Sequence, residues 1–371
     1  MYLFLDFDET LSSHDTLSLI PSPPPSPSSS SSSSSSSTSQ PDPKDFSSYT
    51  QAYLSDMRDH EASYGGERDT IRGQLRFLGS LADVERKSVA RVEKGGLFVG
   101  WTQEDAEKRG REGVRLRRGV RSSEMGQAEQ STLQEFLQRT TSTSTSGSGA
   151  PQLQPRVLAG IISVSWSTVF VRASLQPLPL HFVYANDPVL DPITKRGTGA
   201  LNKGAAEGEQ EGGIRTGLDK LRLMRREMSK AEEKRLQNAS AQQGKTHSYS
   251  VYAGDSNTDL PCLIEASLGL ILGEGASLLS TLERIGLRGR VLDGYEALQM
   301  WLKAGEEGKG QGEGKGAGGS LRPVDPKRTE PWSEEEEERR AEEVCLVRVK
   351  DWVEGTKVLE LVLALEEGRS M

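Results

Sequence analysis

Two carboxylates spaced two residues apart, Asp6 and Asp8, follow directly on the apolar run Tyr2-Leu3-Phe4-Leu5. The run reads as a strand, and because side chains alternate along a strand, both acids would leave the same face at its tip. Acids this close repel, so either one takes up a proton or a cation sits between them. The first outcome suits an acid or base, the second a site for a hard cation that prefers oxygen ligands. Taken alone, Asp6-Phe7-Asp8-Glu9-Thr10 is also a common kind of loop sequence, since Asp and Thr favour turns and helix caps.

The elements that would position these acids recur downstream. Ser250-Val251-Tyr252-Ala253 runs into Gly254-Asp255-Ser256-Asn257-Thr258-Asp259-Leu260, and a helical pattern follows through Leu263 and Ala266. A third apolar run, residues 157–163, ends in the hydroxyl of Ser163, with Ser165 and Ser167 as rivals; Ser163 is favoured because the apolar run ends there. Lys220 opens a helix patterned by Leu221, Leu223, Met224 and Met228. Its rival Lys203 lies in a Gly/Ala/Glu-rich stretch with no helix to hold it. Short unbroken apolar runs suit a parallel sheet buried on both faces, where ligands bind beyond the carboxyl ends of the strands.

These four elements in this order resemble the haloacid dehalogenase superfamily of phosphohydrolases, whose motifs are Asp-x-Asp-x-Thr, a strand-terminal Ser or Thr, a Lys, and Gly-Asp-x-x-x-Asp. The resemblance implies a doubly wound, Rossmann-like α/β core in which Asp6 attacks phosphorus to give an aspartyl-phosphate. Asp8 would protonate the leaving alcohol and then activate water. Thr10, Ser163 and Lys220 would bind the phosphate. Magnesium would be held by Asp6, Asp255 and the main-chain carbonyl of Asp8, with Asp259 in the outer part of the metal site.

Glu9 departs from the glycine that many small-molecule phosphatases of the superfamily carry. Asp-x-Asp-Glu-Thr also occurs in the branch that dephosphorylates the tail of RNA polymerase, but here the chain continues Leu11-Ser12-Ser13-His14, without that branch's Leu-Val-His. About 157 positions separate Asp6 from Ser163 and about 92 separate Ser163 from Asp255, so the large insertion follows the first motif. In the superfamily an insertion there forms a mobile helical cap, as in phosphoserine-phosphatase-like enzymes, and Asp15-Thr16 fits that subgroup. Residues 46–64 and 75–92 carry apolar residues at near-helical spacing and read as two cap helices, with Gly95-Gly96-Leu97-Phe98 as the stop. The Gly-Leu-Phe segment and residues 162–167 also resemble uncharacterised fungal proteins of this superfamily. Tyr184-Ala185-Asn186-Asp187 follows another apolar run, and Asn186 is expected to shape a turn.

The expected organisation is a discontinuous core at 1–16 and 156–371, a helical cap at 44–138 and low-complexity linkers at 21–43 and 139–155. Further insertions are expected near 197–213 and 304–328. The chain has 371 residues, 39 of them glycine, and is only 34% apolar. Segments rich in Ser, Pro and Gly bury too little apolar surface to offset their ordering entropy and read as disordered loops. The basic stretch 108–121 is interspersed with Glu and has no aromatic residues, so it reads as a solvated face or disordered cap loop and not as a nucleic-acid site. After the acidic run 334–338, residues 344–349 read as a strand, and Trp352, Leu359, Val362 and Leu363 as a closing helix. Two cysteines, Cys262 and Cys345, and four histidines make a disulfide scaffold or a zinc site improbable. No stretch is long and apolar enough to span a membrane. The expectation is a magnesium-dependent phosphatase of a small phosphorylated metabolite, cytoplasmic with the nucleus open, and of unknown oligomeric state. A protein phosphatase, a phosphotransferase or a non-catalytic binding protein on the same fold stands as the alternative.

Overall fold

A parallel strand covered on both faces shows no polar alternation, and β1 (Tyr2–Leu5) has none; all four residues are buried. The computed structural model describes residues 1–21, 46–122, 131–141, 155–201, 213–238, 248–308, 319–325 and 333–369. From β1 the chain passes through five helices, α1 (Phe46–Ser63), α2 (Ile71–Ser80), α3 (Ala82–Lys94), α4 (Gln103–Gly113) and α5 (Leu133–Thr141), before β2 (Leu158–Ile162). It continues with α6 (Thr168–Leu175), β3 (Phe182–Tyr184), the antiparallel pair β4 (Pro188–Leu190) and β5 (Gly197–Leu201), and α7 (Gly217–Asn238). The second half holds β6 (Ser250–Gly254), α8 (Leu260–Glu265), β7 (Leu268–Leu272), α9 (Ala276–Arg284), β8 (Val291–Asp293) and α10 (Tyr295–Gly308). It closes with α11 (Glu334–Glu343), β9 (Leu346–Val349) and α12 (Trp352–Glu366).

Seven strands form one sheet in the order β3-β2-β1-β6-β7-β9-β8, every neighbouring pair parallel. The fold is a doubly wound α/β sheet. The chain winds outward from β1 to β2 and β3, then returns to build the other half from β6, so the winding reverses between β1 and β6. Such a switch point opens a crevice at the carboxyl ends of the strands.

Successive residues of β1 serve opposite layers. Leu3 and Leu5 pack with Ala253, Leu270 and Leu359 of α12, whereas Tyr2 and Phe4 pack with Tyr252, Met224 of α7 and Leu263 of α8. One residue beyond the strand, the Asp6 amide still donates to the Ala253 carbonyl at 2.9 Å. Phe7 is fully buried on the Leu5 side, edge-on to Phe170 at 6.3 Å. Among the described residues no helix is long and apolar enough to cross a membrane.

Several sequence expectations need correction. Residues 75–92 are not one helix: α2 ends at Ser80 and α3 begins at Ala82, with Leu81 between them. The Ser80 hydroxyl donates to the Phe77 carbonyl at 2.7 Å, and such local bonding competes with helix continuation. The segment expected to be disordered from 197 begins as strand β5. A Cβ on Gly197 would lie 2.1 Å from the Phe98 carbonyl oxygen, so this glycine serves close backbone approach, and its amide donates to Trp101 at 2.7 Å. The stretch from 304 carries α10 through Gly308, and Leu321 and Val324 beyond it are buried in the core. The basic stretch 108–121 is ordered throughout, first in α4 and then as a strand-like segment in which Arg117 donates to the Leu11 carbonyl while Ser13 donates to Arg115. Residues 22–43, 142–154, 202–212, 309–318 and 326–328 of the low-complexity segments lie outside the described residues, as does Lys203.

The inserted helices are joined to the sheet layers by packing. α1 and α3 pack on each other, α2 on α7 and α11, α4 on α6, and α5 on α12 and β2.

α12 is tied to the loop after β1 by one buried bond. The indole N–H of Trp352, fully buried, donates to the Thr10 carbonyl at 2.9 Å. Trp352→Phe keeps an aromatic body but strands that carbonyl, and we expect a loss of about 1–3 kcal/mol in urea-denaturation stability. A variant as stable as the parent would show that the bond contributes nothing to holding α12.

Candidate active site

The carboxyl ends of β1 and β6 place Asp6 and Asp255 side by side. Oxygens of Asp6, Asp255 and Asp259 all lie within 4.8 Å of one another. Three carboxylates so close are held together by Lys220, which α7 brings in from the layer that Tyr2 and Phe4 face. Its side chain is fully buried, with Nζ 2.7 Å from Asp259 Oδ1 and 2.9 Å from Asp6 Oδ1. Lys220 thus pairs with both Asp6 and Asp259.

Asp259 is saturated. Its Oδ1 accepts from Lys220 and from the Tyr252 hydroxyl at 2.8 Å, and its Oδ2 accepts from the amides of Asp255 and Ser256 and from the Ser256 hydroxyl. A carboxylate offers about four lone-pair sites, and five donors meet this one. Asp259 therefore has no oxygen to spare for a metal ion and acts as the post that aims Lys220. Asp255 differs: among the described residues only its Oδ1 accepts a side-chain hydrogen bond, from the Thr10 hydroxyl at 2.8 Å. Thr10, expected at the phosphate, spends its proton on orienting Asp255.

Burial is the main cause of the raised pKa of Asp6, with the charge on Asp259 adding to it and Lys220 opposing. Asp255 is pushed up to about 7 by burial and by Asp259, against the Thr10 bond. Burial also works against the Lys220 ammonium, but Asp259 and Asp6 together outweigh it and hold its pKa above the ordinary lysine value. Asp6 and Asp255 both resist ionising in these surroundings, which is the electrostatic condition a bound cation relieves. The donor set is all hard oxygen, so the residues fit a magnesium ion.

The Thr16 amide and hydroxyl donate to Asp8 Oδ1 at 2.8 and 2.6 Å, while Oδ2 is buried with no hydrogen-bond partner among the described residues. Burial raises its pKa to about 6, the Thr16 bonds opposing. Between the two acids and Thr16, Glu9 takes a left-handed backbone with φ of 54°. Such a conformation costs a non-glycine residue roughly 1–2 kcal/mol, which accounts for glycine being the easier residue there. Arg117 donates to the Glu9 carbonyl and steadies the turn.

Of the three serine candidates, Ser167 is engaged as the N-cap of α6, accepting from Phe170. Ser163, fully buried at the tip of β2, accepts from the Ser165 amide at 3.1 Å, which leaves its own proton to donate. The Ser165 hydroxyl is buried and has no hydrogen-bond partner among the described residues. Asn186 shapes more than a turn: its amide nitrogen donates to Val164, Ser165 and Ile214, and its oxygen accepts from the Ile214 amide. It thereby fixes the Ser163 loop to the segment leading into α7 and Lys220.

Sequence reasoning missed Tyr252, although the signal was present. A tyrosine in an otherwise aliphatic buried strand must find a partner for its hydroxyl, and the nearest polar group in sequence is the acidic tip that follows.

No family model matches this sequence, and no curated relative matches it. Among solved structures, one of phosphoserine phosphatase in its apo form is 14% identical and covers 73% of this chain and 85% of its own, at a TM-score of 0.35. A protein of unknown function from Bordetella pertussis Tohama I is likewise 14% identical, covering 77% of this chain and 95% of its own at the same TM-score of 0.35. Overlaps this loose carry no argument about the site, which rests on its own geometry.

The network makes a direct prediction. Asp259→Ala leaves the buried Lys220 ammonium without its shorter partner, and we expect stability to fall by about 3–5 kcal/mol. Tyr252→Phe removes one bond to a charged acceptor, with an expected loss of about 1.5–3 kcal/mol. Denaturation midpoints measure both; a larger loss for Tyr252→Phe than for Asp259→Ala would contradict the order of dependence described.

Proposed function

We propose that this chain is a magnesium-dependent phosphomonoesterase of the haloacid dehalogenase type, working through Asp6 on a small phosphorylated metabolite. The observation that carries the reading is the convergence of Asp6, Asp255, Lys220 and the Asp259 post at the switch point of the sheet. A buried lysine joining two aspartates from different strand tips is a costly arrangement for stability alone. It suits a centre that must bind and release a dianion.

In this reading an Asp6 carboxylate oxygen attacks phosphorus, forming the anhydride O–P bond of an acyl-phosphate as the bond to the leaving oxygen breaks. Asp8, whose buried carboxyl holds a proton more readily than a solvated one, gives that proton to the leaving oxygen. It then takes a proton from the water that attacks the same phosphorus, and the acyl-phosphate bond breaks to return Asp6 and release inorganic phosphate. Lys220 and the Ser163 hydroxyl hold the phosphoryl oxygens while charge redistributes over them, and Thr10 keeps Asp255 in place. Asp6, Asp255 and the Asp8 carbonyl would hold magnesium, whose charge lets an anionic nucleophile approach an anionic phosphate.

The test is hydrolysis of 4-nitrophenyl phosphate by the purified chain with magnesium, with EDTA, and by Asp6→Asn. Activity should require the metal and fall by at least about 1,000-fold in the variant. Turnover that survives Asp6→Asn would overturn the assignment of the nucleophile. In parallel, magnesium should raise the thermal midpoint of the parent protein and have no such effect on Asp255→Asn.

A further inference from the structure

Glu9 joins Asp8 to Thr10 with a left-handed backbone, φ 54°, and so sets the directions in which both neighbours leave the turn. The Thr16 amide and hydroxyl donate to Asp8 on one side, and the Thr10 hydroxyl donates to Asp255 on the other. A glutamate resists this conformation, so contacts beyond the residue must hold it there.

Among the described residues, two side chains do so, one at each backbone group of Glu9. The oxygen of Ser12, a fully buried hydroxyl, accepts the Glu9 amide at 3.0 Å and itself donates to the His14 carbonyl at 2.6 Å. The Arg117 guanidinium donates to the Glu9 carbonyl. Ser12 belongs to the loop itself, whereas Arg117 comes from the segment that returns to the sheet after α4. The Arg117 amide donates to the Leu11 carbonyl at 2.8 Å and the Ser13 amide to Arg115 at 2.9 Å, so this segment lies antiparallel to residues 11–13. From there the guanidinium reaches across the tips of β7 and β9. Its second terminal nitrogen is 3.5 Å from the Lys350 carbonyl after β9, and a Cβ on Gly273, after β7, would lie 2.8 Å from that nitrogen.

Resting on the phosphatase reading, we infer that Arg117 is a positioning residue for phosphoryl transfer: by fixing the Glu9 carbonyl it keeps the turn in the conformation that presents Asp8 to the leaving oxygen and Thr10 to Asp255. The direction of a carbonyl follows the ψ angle of its own residue, so a donor anchored outside the turn biases the turn without touching substrate. Released from Arg117, Glu9 can relax toward extended backbone and carry its two neighbours away from their partners. Glycine adopts the left-handed conformation without steric cost, so a glycine at position 9 would not need the arginine. The unfavourable residue and the guanidinium that holds it are thus coupled.

The experiment is a double-mutant cycle of Arg117→Ala and Glu9→Gly, read by hydrolysis of phenyl phosphate, whose leaving oxygen needs a proton, well below every thermal midpoint. Arg117→Ala should lower kcat by about tenfold and leave KM within about twofold, as expected for a group that acts through the transition state. In the Glu9→Gly background the same substitution should change kcat by less than about twofold. An equal loss in both backgrounds, or a lowered midpoint with kcat unmoved, would overturn the inference. The same cycle read by fluorine NMR of protein labelled with 5-fluorotryptophan needs no turnover. Of the five tryptophans, Trp352 donates to the Thr10 carbonyl at 2.9 Å, and its resonance is the one lost in Trp352→Phe. That resonance should shift or broaden in Arg117→Ala, and in the double variant it should return to its position in Glu9→Gly. If it does so while no ester is hydrolysed, the phosphatase reading falls and the hold of Arg117 on the turn stands. If it does not follow the cycle, the inference falls whether or not the parent protein hydrolyses the ester.

Discussion

The buried ammonium of Lys220 is the group on which the site depends. It lies 2.7 Å from Asp259 and 2.9 Å from Asp6 with no solvent exposure. A buried charge is tolerated only with partners, and here the partners are themselves carboxylates that crowding would otherwise drive apart. The cation and the acids make one another possible, and each element that delivers a member is constrained by the rest. α7 must start where it does to aim Lys220, and β6 must end in Gly254 so that Asp259 can fold back over it. A Cβ at Gly254 would sit 2.4 Å from the Asp259 carboxyl carbon.

The scaffold supplies positions that local sequence does not. The reversal of winding between β1 and β6 brings residues 6 and 255 to neighbouring strand tips, and the Asp6 amide bond to Ala253 locks their register. Asn186, outside all four motifs, braces the Ser163 loop against the approach to α7. Trp352 pins the loop after β1 to the last helix through the Thr10 carbonyl, while the Thr10 hydroxyl orients Asp255. Residues from both ends of the chain thus converge on a turn of a few residues, and the placement of Asp8 and Asp255 depends on all of them.

Much of the sheet and the acidic cluster was legible in the sequence because their signals are local. The apolar runs at residues 2–5, 157–163 and 250–253 read as strands covered on both faces, and a polar residue ending such a run reads as lying at the carboxyl end of the sheet, where ligands bind. Lys220 was distinguishable from Lys203 because only one of them opens an apolar-patterned helix. The break at Leu81 was not legible, since both sides of it carry the same helical periodicity and only a local bond from the Ser80 hydroxyl accompanies it. Nor was β5, whose Gly-Thr-Gly-Ala-Leu sequence is glycine-rich for the sake of contact with the backbone at Phe98 and not for freedom.

By itself the sequence determined which residues could do chemistry, because residue type and the order apolar run, acid, hydroxyl, lysine and acid are properties of the chain. Tertiary structure alone decided what each does. Asp255 and Asp259 are four residues apart and chemically identical, yet the first keeps an open oxygen and the second is filled by five donors. Thr10 faces a carboxylate, and Glu85, unremarkable in sequence, accepts the Tyr53 hydroxyl in a pocket that Arg215 also lines. The physical reason is that a polar group's role is set by the partners and dielectric around it, and those come from segments hundreds of residues away, brought together only by the fold.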